Sequence, residues 1–234
     1  LVPSQDWLGH RVVVSAGPTQ EPIDPVRFLT NRSSGKMGYA VAEAARARGA
    51  EVVLVSGPTS LSSPAGVERI EVTTAEEMSK ALKAQLPWAT VVVMAAAVGD
   101  FRPARFSATK LERTGERGQA LELEPTADIL STLADQRRGQ ILVGFAAEAG
   151  PVMPRAFEKL RRKGVDLMVA NDVTMEGAGF GTDTNIAVLI DRTGRTIELP
   201  KMSKKELANR ILDAAMSLAR SSGLTNGSSS IASR

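Results

Sequence analysis

The sequence of 234 residues contains no cysteine, which removes several kinds of chemistry at once. Without cysteine there are no disulfides, no thiolate zinc sites and no cysteine nucleophile, and such a composition suits a reducing compartment such as the cytoplasm. The single histidine, His10, lies near the start of the chain. A Ser-His-Asp triad is therefore nearly excluded, because no other histidine can serve as its base.

Aromatic residues and long apolar runs are also scarce. Phe, Trp and Tyr make up 4% of the chain, and no stretch approaches the roughly 20 apolar residues of a membrane span. The formal net charge is only +3, with acidic residues interspersed among the basic ones. This balance argues against a nucleic-acid or membrane partner and is compatible with a pocket for anionic small molecules. We expect a cytoplasmic protein.

Apolar runs recur along the chain and lack the alternation of half-buried strands, which is typical of a buried parallel sheet. They are RVVVSA (11–16), EVVLVSG (51–57), ATVVVMAAA (89–97), QILVGFAA (140–147) and VDLMVAN (165–171). Segments with helical periodicity lie between them, at 36–49, 75–86, about 128–137 and 152–163. This order predicts an α/β fold with a three-layer, Rossmann-like, mainly parallel sheet.

Two segments interrupt the alternation. Residues 98–124 are rich in charge, Pro and Gly and are interpreted as a small β elaboration or flap, and 185–199 predict a hairpin that turns at Thr193–Gly194. A final helix is predicted from Ser203, where Glu206 completes a capping box. We assign residues 1–9 to a linker, 10–220 to one domain and 221–234 to a disordered tail, since that last stretch is too polar and small to pack.

The segment NRSSGKMG (31–38) places Ser33, Ser34 and Gly35 at a helix start, where free N–H groups bind anions. A P-loop would need G-x-x-x-x-G-K-[ST], and here Met37 follows the lysine. An NAD(P)-dependent reductase would need a tight G-x-G-x-x-G directly after the first strand and an acidic residue after the second, and both are missing. The reductase therefore stays only as an alternative.

Ligands of open α/β sheets sit outside the carboxyl ends of the strands, so the residues that follow each strand are the informative ones. After the third major strand, AAAVGDFRP (95–103) combines small residues, which let a substrate approach the backbone, with Asp100. Asp100 could hold a ribose or a metal-bound phosphate, or simply be solvated. Lys159 and Lys163 are spaced i,i+4 and share a helix face. They form either a clamp for a polyphosphate or a solvated basic surface.

Several of these segments together resemble phosphopantothenoylcysteine synthetases, from about residue 10 to 218. They are SAGPTQEPIDPVRFLTNRSSGKMGYAVAE (15–43), AAAVGDFRP, the lysine at 110, VGFAAE (143–148) and KGVDLMVANDV (163–173). The resemblance implies a ligase of coenzyme A biosynthesis that works as a homodimer. It also implies fusion to, or assembly with, a flavin-dependent decarboxylase, which would account for the missing initiator Met.

The resemblance further implies a reaction that joins 4′-phosphopantothenate to L-cysteine. In the bacterial branch CTP activates the carboxylate as an acyl-cytidylate with release of pyrophosphate, and the cysteine amine then displaces CMP. Mg²⁺ is expected on the triphosphate, held mainly by phosphate oxygens. Such chemistry relies on positioning and charge neutralisation and needs no histidine or protein nucleophile. A non-catalytic nucleotide-binding module is the second alternative.

Site roles also follow from the resemblance. Asn31 would hold phosphopantothenate and handle the acyl-cytidylate, and Lys110, on the flap, would neutralise nucleotide phosphates. The implied CTP-binding residues are Asp100, Lys110, Ala127, Asp128, Ile129, Leu130, Phe145, Lys159 and Lys163. The implied loop around phosphate and phosphopantothenate consists of Asn31, Ser33, Ser34, Gly35 and Ala96.

Two segments depart from the family's pattern. The flap usually carries Lys-x-Lys-Lys, whereas this chain has Lys110-Leu111-Glu112-Arg113. The segment that reads cytosine is usually Asn-Pro-Asp-Ile, and here it is Thr126-Ala127-Asp128-Ile129. Backbone readout survives the loss of proline, while the preference for cytosine over another pyrimidine stays open.

Overall fold

The computed structural model describes residues 4–112, 120–148, 152–172 and 182–221. The strands in these ranges are β1 (Arg11–Ala16), β2 (Gln20–Pro22), β3 (Phe28–Thr30), β4 (Glu51–Ser56), β5 (Glu68–Glu71), β6 (Val91–Met94), β7 (Phe101–Pro103), β8 (Leu123–Pro125), β9 (Ile141–Glu148), β10 (Leu167–Asp172), β11 (Thr184–Asp191) and β12 (Thr196–Ser203). The helices are α1 (Lys36–Ala47), α2 (Ala75–Gln85), α3 (Ile129–Gln136), α4 (Val152–Lys163) and α5 (Lys204–Ser221).

The main sheet of the described chain has the strand order β12-β11-β10-β9-β6-β1-β4-β5. The strands from β10 to β5 pair in parallel, and β11 and β12 are antiparallel additions at one edge. From β1 the chain moves outward to β4 and β5 and then crosses back to β6 on the other side. This reversal opens a crevice between the carboxyl ends of β1 and β6, where doubly wound sheets bind ligands.

Helices cover both faces of the sheet, so the predicted three-layer, Rossmann-like fold is confirmed. Within β1, Val12 and Val14 belong to the apolar cluster under α1 and α5, whereas Val13 belongs to the cluster under α2, α3 and α4. Successive side chains of a strand point to opposite faces. Because both faces are covered, the strand must be apolar at every position, which explains its uninterrupted VVV.

Capping boxes fix the starts of two helices where the sequence predicts them. Thr74 Oγ1 accepts a hydrogen bond from Glu77 N at 3.2 Å, and the Glu77 carboxylate accepts from Thr74 N at 3.2 Å. Ser203 and Glu206 repeat this exchange before α5, at 3.2 and 2.9 Å. Each box satisfies N–H groups that have no partner within the helix itself.

The predicted hairpin is present as β11 and β12, and its turn is organised by Asp191 Oδ1, which accepts from Thr193 N at 2.8 Å. It extends beyond the predicted 185–199, to Ser203, because β12 continues to the start of α5. Two short antiparallel pairs, β2–β3 and β7–β8, lie outside the main sheet. The second pair brackets the predicted flap, of which residues 113–119 lie outside the described residues.

The boundary drawn at residue 10 falls too late, because the stretch interpreted as a linker packs onto the domain. Trp7 has 0% exposure and belongs to the cluster under α1 and α5, and its backbone N donates to Arg48 O at 3.0 Å. Asp6 accepts from Arg48 Nε at 3.0 Å. At the other end, Ser221 closes α5, and the rest of the predicted tail lies outside the described residues.

Replacing Trp7 should therefore destabilise the whole domain. We expect Trp7→Ala to lower the free energy of unfolding by about 3–5 kcal/mol, since it removes a large buried side chain. Trp7→Phe should cost clearly less, because the ring remains and the buried indole N–H has no partner among the described residues. Urea denaturation followed by circular dichroism measures both, with Leu8→Ala (64% exposed) as the control. Equal losses for Trp7→Ala and Leu8→Ala would contradict this role.

Candidate active site

Two adjoining cavities lie at the carboxyl ends of the strands. The larger, of about 540 Å³, is the large chamber, and the smaller, of about 260 Å³, is the small chamber. They share the side chains of Ala96, Val98, Asp100, Phe145 and Lys159. Because these residues line both cavities, the chambers adjoin each other at the crevice between β1 and β6, and together they are called the cleft.

The loops that follow β1 and β6 are joined to each other by hydrogen bonds. Ala97 N donates to Gly17 O at 2.9 Å, and Gly99 N donates to Thr19 Oγ1 at 2.9 Å. Further on, Asn31 Nδ2 donates to Val98 O at 2.8 Å, which fixes the predicted catalytic amide at the wall of the large chamber. The cleft is therefore bounded by two loops of fixed relative position.

The start of α1 opens into the large chamber. Gly35 precedes the helix with φ 75°, and no described side chain caps the first turn. A Cβ at Gly35 would lie 2.9 Å from Thr59 Cγ2, so this position requires glycine for its space as well as its conformation. Ser33, Ser34 and Gly35 all line the chamber, and the predicted binding of an anion at this helix start stays a prediction.

Gly38, by contrast, serves packing rather than ligand binding. A Cβ at this position would lie 2.6 Å from Ala16 Cβ and 2.8 Å from Ser15 O. Only glycine lets α1 approach β1 this closely, which in turn holds the first turn of α1 at the rim of the crevice.

Residues 126–130 build the small chamber, together with the loop after β6. Thr126 N donates to Asp100 O at 3.0 Å, and Thr126 Oγ1 donates to Gly99 O at 2.6 Å. Thr126, at a position where the family usually has asparagine, thus attaches this segment to the backbone of the loop after β6. Ala127, Asp128, Ile129 and Leu130 line this chamber, and their predicted role in binding CTP stays a prediction.

Asp128 caps α3 and pairs with a lysine of α4. Its Oδ1 accepts from Ser131 N at 3.1 Å, and its Oδ2 accepts from Lys163 Nζ. Partial burial opposes the charge of Asp128, but the hydrogen bonds from Lys163 and Ser131 outweigh it and lower the pKa of this carboxyl. The Asp128 carboxylate is thus committed to holding α3 against α4.

The two lysines of α4 lie on one face, as their spacing predicts, but they reach different places. Lys159 lines both chambers, whereas Lys163 lines only the small chamber, where it pairs with Asp128. Lys159 is therefore the cation that stands between the chambers, and Lys163 positions the segment that forms the small one.

Lys110 is not brought together with the other predicted residues, since it lines neither chamber of its own chain. The next residue is anchored elsewhere: Leu111 N donates to Asp24 Oδ2 at 3.1 Å, and Arg27 Nη2 donates to Leu111 O at 2.6 Å. Asp24 also accepts from Val26 N at 2.8 Å. Desolvation opposes the charge of Asp24, but its bonds to Arg27 and to backbone N–H groups outweigh that cost and hold its pKa well below the usual range.

The depressed pKa fixes the pH range in which this anchor works. A carboxylate with a lowered folded pKa contributes its full stability above the unfolded value of roughly 3.9 and loses that contribution as the pH falls further. The contact between Asp24 and Leu111 is therefore intact at neutral pH.

The large chamber also contains residues that the sequence predictions omit: Lys36, Asn171, Asn185 and Lys204. Asn171 is the second-to-last residue of β10, Asn185 lies at the start of antiparallel β11, and Lys204 directly follows β12. The predicted hairpin could have indicated Asn185 and Lys204. Its first strand begins, and its second strand ends, at the carboxyl ends of the parallel strands, which is where the chamber lies.

A model of the DNA/pantothenate metabolism flavoprotein C-terminal domain matches residues 7–218. The chain belongs to this family. It is 47% identical over 216 residues to the coenzyme A biosynthesis bifunctional protein CoaBC of Bacillus subtilis (strain 168), covering 92% of this chain and 53% of that protein. It is 46% identical over 220 residues to the CoaBC protein of Mycobacterium bovis (strain ATCC BAA-935 / AF2122/97), covering 89% and 52%. The chain thus spans about half the length of these curated relatives.

Solved structures agree with this assignment. The crystal structure of the C-terminal domain of CoaBC superposes with a TM-score of 0.79 at 43% identity, covering 93% of this chain and 100% of that one. A complex of the Cab2 mutant H337A with phosphopantothenate-cysteine has a TM-score of 0.75 at 16% identity, covering 92% and 89%, and shows the shared fold alone. The resemblance to phosphopantothenoylcysteine synthetases is confirmed at the level of the family.

Two further properties concern the described ranges only. None of their helices is both long and apolar enough to cross a bilayer. Nor do they bring three or more His, Asp or Glu side chains into a group that could hold a metal ion.

The anchor at Asp24 generates a prediction about the segment that carries Lys110. Asp24→Asn removes the charge that holds Leu111 N, so we expect the Leu111 amide to exchange with deuterium at least about tenfold faster at pH 7, as a charge-assisted hydrogen bond is lost. Asp191→Asn, in the turn of the β11–β12 hairpin, is the matched control. An unchanged exchange rate at Leu111 would show that Asp24 does not hold this segment.

Proposed function

We propose that this chain is the ligase that joins 4′-phosphopantothenate to L-cysteine in coenzyme A biosynthesis, with CTP as the activating nucleotide. The observation that carries the proposal is the pair of adjoining chambers. The Asn31 amide and the open start of α1 line one chamber, residues 126–130 line the other, and Lys159 lines both. Membership of the family supplies the chemistry that this arrangement serves.

The small chamber is the proposed site of the cytosine base. Asp128 is committed to α3 and Lys163, and Thr126 to the backbone of Gly99 and Asp100, so backbone groups are left to read the base. Such readout needs no particular side chain at position 127, and alanine there is compatible with it. Asp100, at the border of the two chambers, stands where the ribose would pass.

The large chamber is the proposed site of activation. A carboxylate oxygen of phosphopantothenate forms a bond to the α-phosphorus, and the bond from that phosphorus to the bridging oxygen of the β-phosphate breaks, so pyrophosphate leaves with the electron pair. Lys159 and the N–H groups at the start of α1 would stabilise the charge that develops on the phosphate oxygens. The small side chains of Ala95, Ala96 and Ala97 leave room for the acid against the loop after β6.

The second half of the reaction uses the acyl-cytidylate. The amine nitrogen of cysteine forms a bond to the acyl carbon, the bond from that carbon to the phosphate oxygen breaks, CMP leaves, and the amine loses a proton to solvent. Asn31 can hydrogen-bond to the acyl phosphate without adding charge, which suits an intermediate that must neither be repelled nor hydrolysed. Mg²⁺, when bound, would be held mainly by oxygens of the triphosphate, whose charge it would neutralise. Asp100 is a carboxylate of the cleft that could contribute a further ligand.

A homodimer would give Lys110 a place in this scheme. Lys110 lines no chamber of its own chain, and the segment before it is tied to the loop between β2 and β3 by a hydrogen bond from Ser107 N to Ile23 O of 3.0 Å. The two short hairpins and their loops carry exposed apolar side chains: Val26, Phe28, Phe101, Phe106, Leu121 and Leu123. We infer that a second copy covers these side chains and that Lys110 serves the cleft of that copy.

The two CoaBC relatives described above are about twice the length of this chain and are named bifunctional. We therefore infer that the ligase works fused to, or assembled with, a flavin-dependent phosphopantothenoylcysteine decarboxylase, in the cytoplasm. The product of the ligase would then be the substrate of its neighbour.

Pyrophosphate release tests the proposed function directly. With phosphopantothenate, CTP and Mg²⁺ but no cysteine, we expect about one equivalent of pyrophosphate and an enzyme-bound acyl-cytidylate; with cysteine, we expect turnover to the amide. A nucleotide-binding module without activity would bind CTP and release nothing. A reductase would instead bind NADPH and release no pyrophosphate, and either result would contradict the proposal.

Asn31→Asp tests the assigned role of the amide. The substitution replaces an N–H donor with a negative charge beside the acyl phosphate, so we expect kcat to fall at least about 100-fold, as for other groups aimed at the transition state. The melting temperature should change little, since Asn31 is exposed. Asn209→Asp, on α5 outside the cleft, is the matched control. Unchanged turnover in Asn31→Asp would remove Asn31 from the site.

Lys110→Gln tests the flap lysine and its place in a dimer. Lys110 is exposed and packs little, so we expect turnover to fall while the melting temperature stays the same. Mixing Lys110→Gln with Asn31→Asp should restore part of the activity, because a mixed dimer holds one cleft with native Asn31 served by a native Lys110. No recovery on mixing, in dimers shown to exchange subunits, would place Lys110 in the cleft of its own chain.

A further inference from the structure

The far end of the large chamber is formed by two lysines that the sequence predictions omit. Lys36 is the first residue of α1 and Lys204 the first of α5, and these helices pack side by side on one face of the sheet. Both side chains line the large chamber, and both also line a surface groove of about 670 Å³ outside it. Neither lines the small chamber, the proposed base site, so this end of the cleft is the one that borders the outer groove.

An aspartate that faces the outer groove holds one of these lysines. Lys36 Nζ donates to Asp183 Oδ1 at 2.7 Å, and Lys204 Nζ donates to the neighbouring Thr182 O. The Asp183 side chain is 88% exposed. An ion pair this open to water is weak and is easily exchanged for another anion.

The electrostatics of this end of the cleft favour an anion. Burial lowers the pKa of Lys204, repulsion from Lys36 lowers it further, and the attraction of Asp183 only partly offsets these effects. The pKa of Asp183 is lowered by its hydrogen bond with Lys36. Two ammonium groups that repel each other across a chamber gain from a doubly charged ligand that bridges them.

We propose that Lys36 and Lys204 bind the terminal phosphates of the nucleotide, the part that leaves as pyrophosphate, and that Asp183 is an exchangeable counter-ion that this polyphosphate displaces from Lys36. The proposal rests on the proposed function, because it takes the base to occupy the small chamber. A nucleotide whose base occupies that chamber extends past Lys159, which lines both chambers, and then reaches the two lysines at the start of α1 and of α5. The outer groove then lets pyrophosphate leave without passing the base.

Exchange at Asp183 distinguishes this arrangement from a merely structural ion pair. If the carboxylate competes with the phosphates for Lys36, removal of its charge must tighten polyphosphate binding. If Asp183 instead held a metal or the fold of the site, its removal would weaken binding. The two interpretations therefore predict opposite changes in polyphosphate affinity when Asp183 loses its charge.

Calorimetric titration of inorganic pyrophosphate, CMP and CTP, each with Mg²⁺, tests the proposal. For Lys204→Gln and for Lys36→Gln we expect Kd for pyrophosphate and CTP to rise about tenfold or more, since each loses a charge-assisted contact, while Kd for CMP changes less than about twofold. For Asp183→Asn we expect pyrophosphate and CTP to bind about two- to fivefold tighter, the range set by an exposed ion pair. Lys205→Gln, exposed and adjacent to Lys204, is the matched control and should match the wild type.

The outcomes separate this proposal from the proposed function. Suppose that the wild type binds CTP and makes the amide, but that both lysine variants bind pyrophosphate with the affinity of the wild type. The terminal phosphates then bind elsewhere, and only this inference fails. Weaker binding by Asp183→Asn would overturn the exchange of counter-ions. A wild type that binds neither CTP nor pyrophosphate would overturn the proposed function and this inference with it. Because Lys36→Gln and Lys204→Gln alter different helices, loss of folding in one leaves the other as the test.

Discussion

The cleft depends on the fixed junction between the loops that follow β1 and β6. These loops diverge where the strand order reverses, and hydrogen bonds between Gly17 and Ala97 and between Thr19 and Gly99 hold them at a set separation. Asn31 is then attached to the same junction through Val98 O, and Gly38 lets α1 descend onto β1 so that its first turn faces the gap. If these loops moved apart, the amide, the helix start and the segment at 126–130 would no longer face one another.

This architecture suits a reaction in which charge, rather than a protein nucleophile, does the chemistry. The described cleft offers amides, backbone N–H groups and lysines, and one of its carboxylates, Asp128, is engaged with α3 and Lys163. An arrangement of this kind lowers the cost of placing an anionic acid beside an anionic phosphate. The proposed condensation would thus need neither a cysteine, which the chain lacks, nor its one histidine, which is buried beside Trp7.

Much of the fold could be predicted because burial on both faces leaves a strong signal in the sequence. The strands β1, β4, β6, β9 and β10 are apolar at nearly every position, and the capping boxes at Thr74 and Ser203 mark helix starts by local chemistry alone. The prediction of 89–97 as one strand was too long: β6 ends at Met94, because Ala95–Ala97 leave the sheet and form the wall of the cleft. The position of Lys110 was not accessible from local pattern, since it depends on Asp24, far away in sequence. The burial of Trp7 could not be predicted either, because one apolar residue in a polar stretch gives no periodic pattern. Lys204, by contrast, could have been predicted, since the second strand of the hairpin ends beside the carboxyl ends of the parallel strands.

One nucleotide is proposed to span both chambers. Amide hydrogen exchange in the presence of CTP or CMP tests this placement most directly. We expect CTP to protect the amides of residues 35–38 and of residues 126–130 together, and CMP, which lacks the terminal phosphates, to protect 126–130 with little effect at 35–38. Protection by CTP at only one of the two segments would contradict the account.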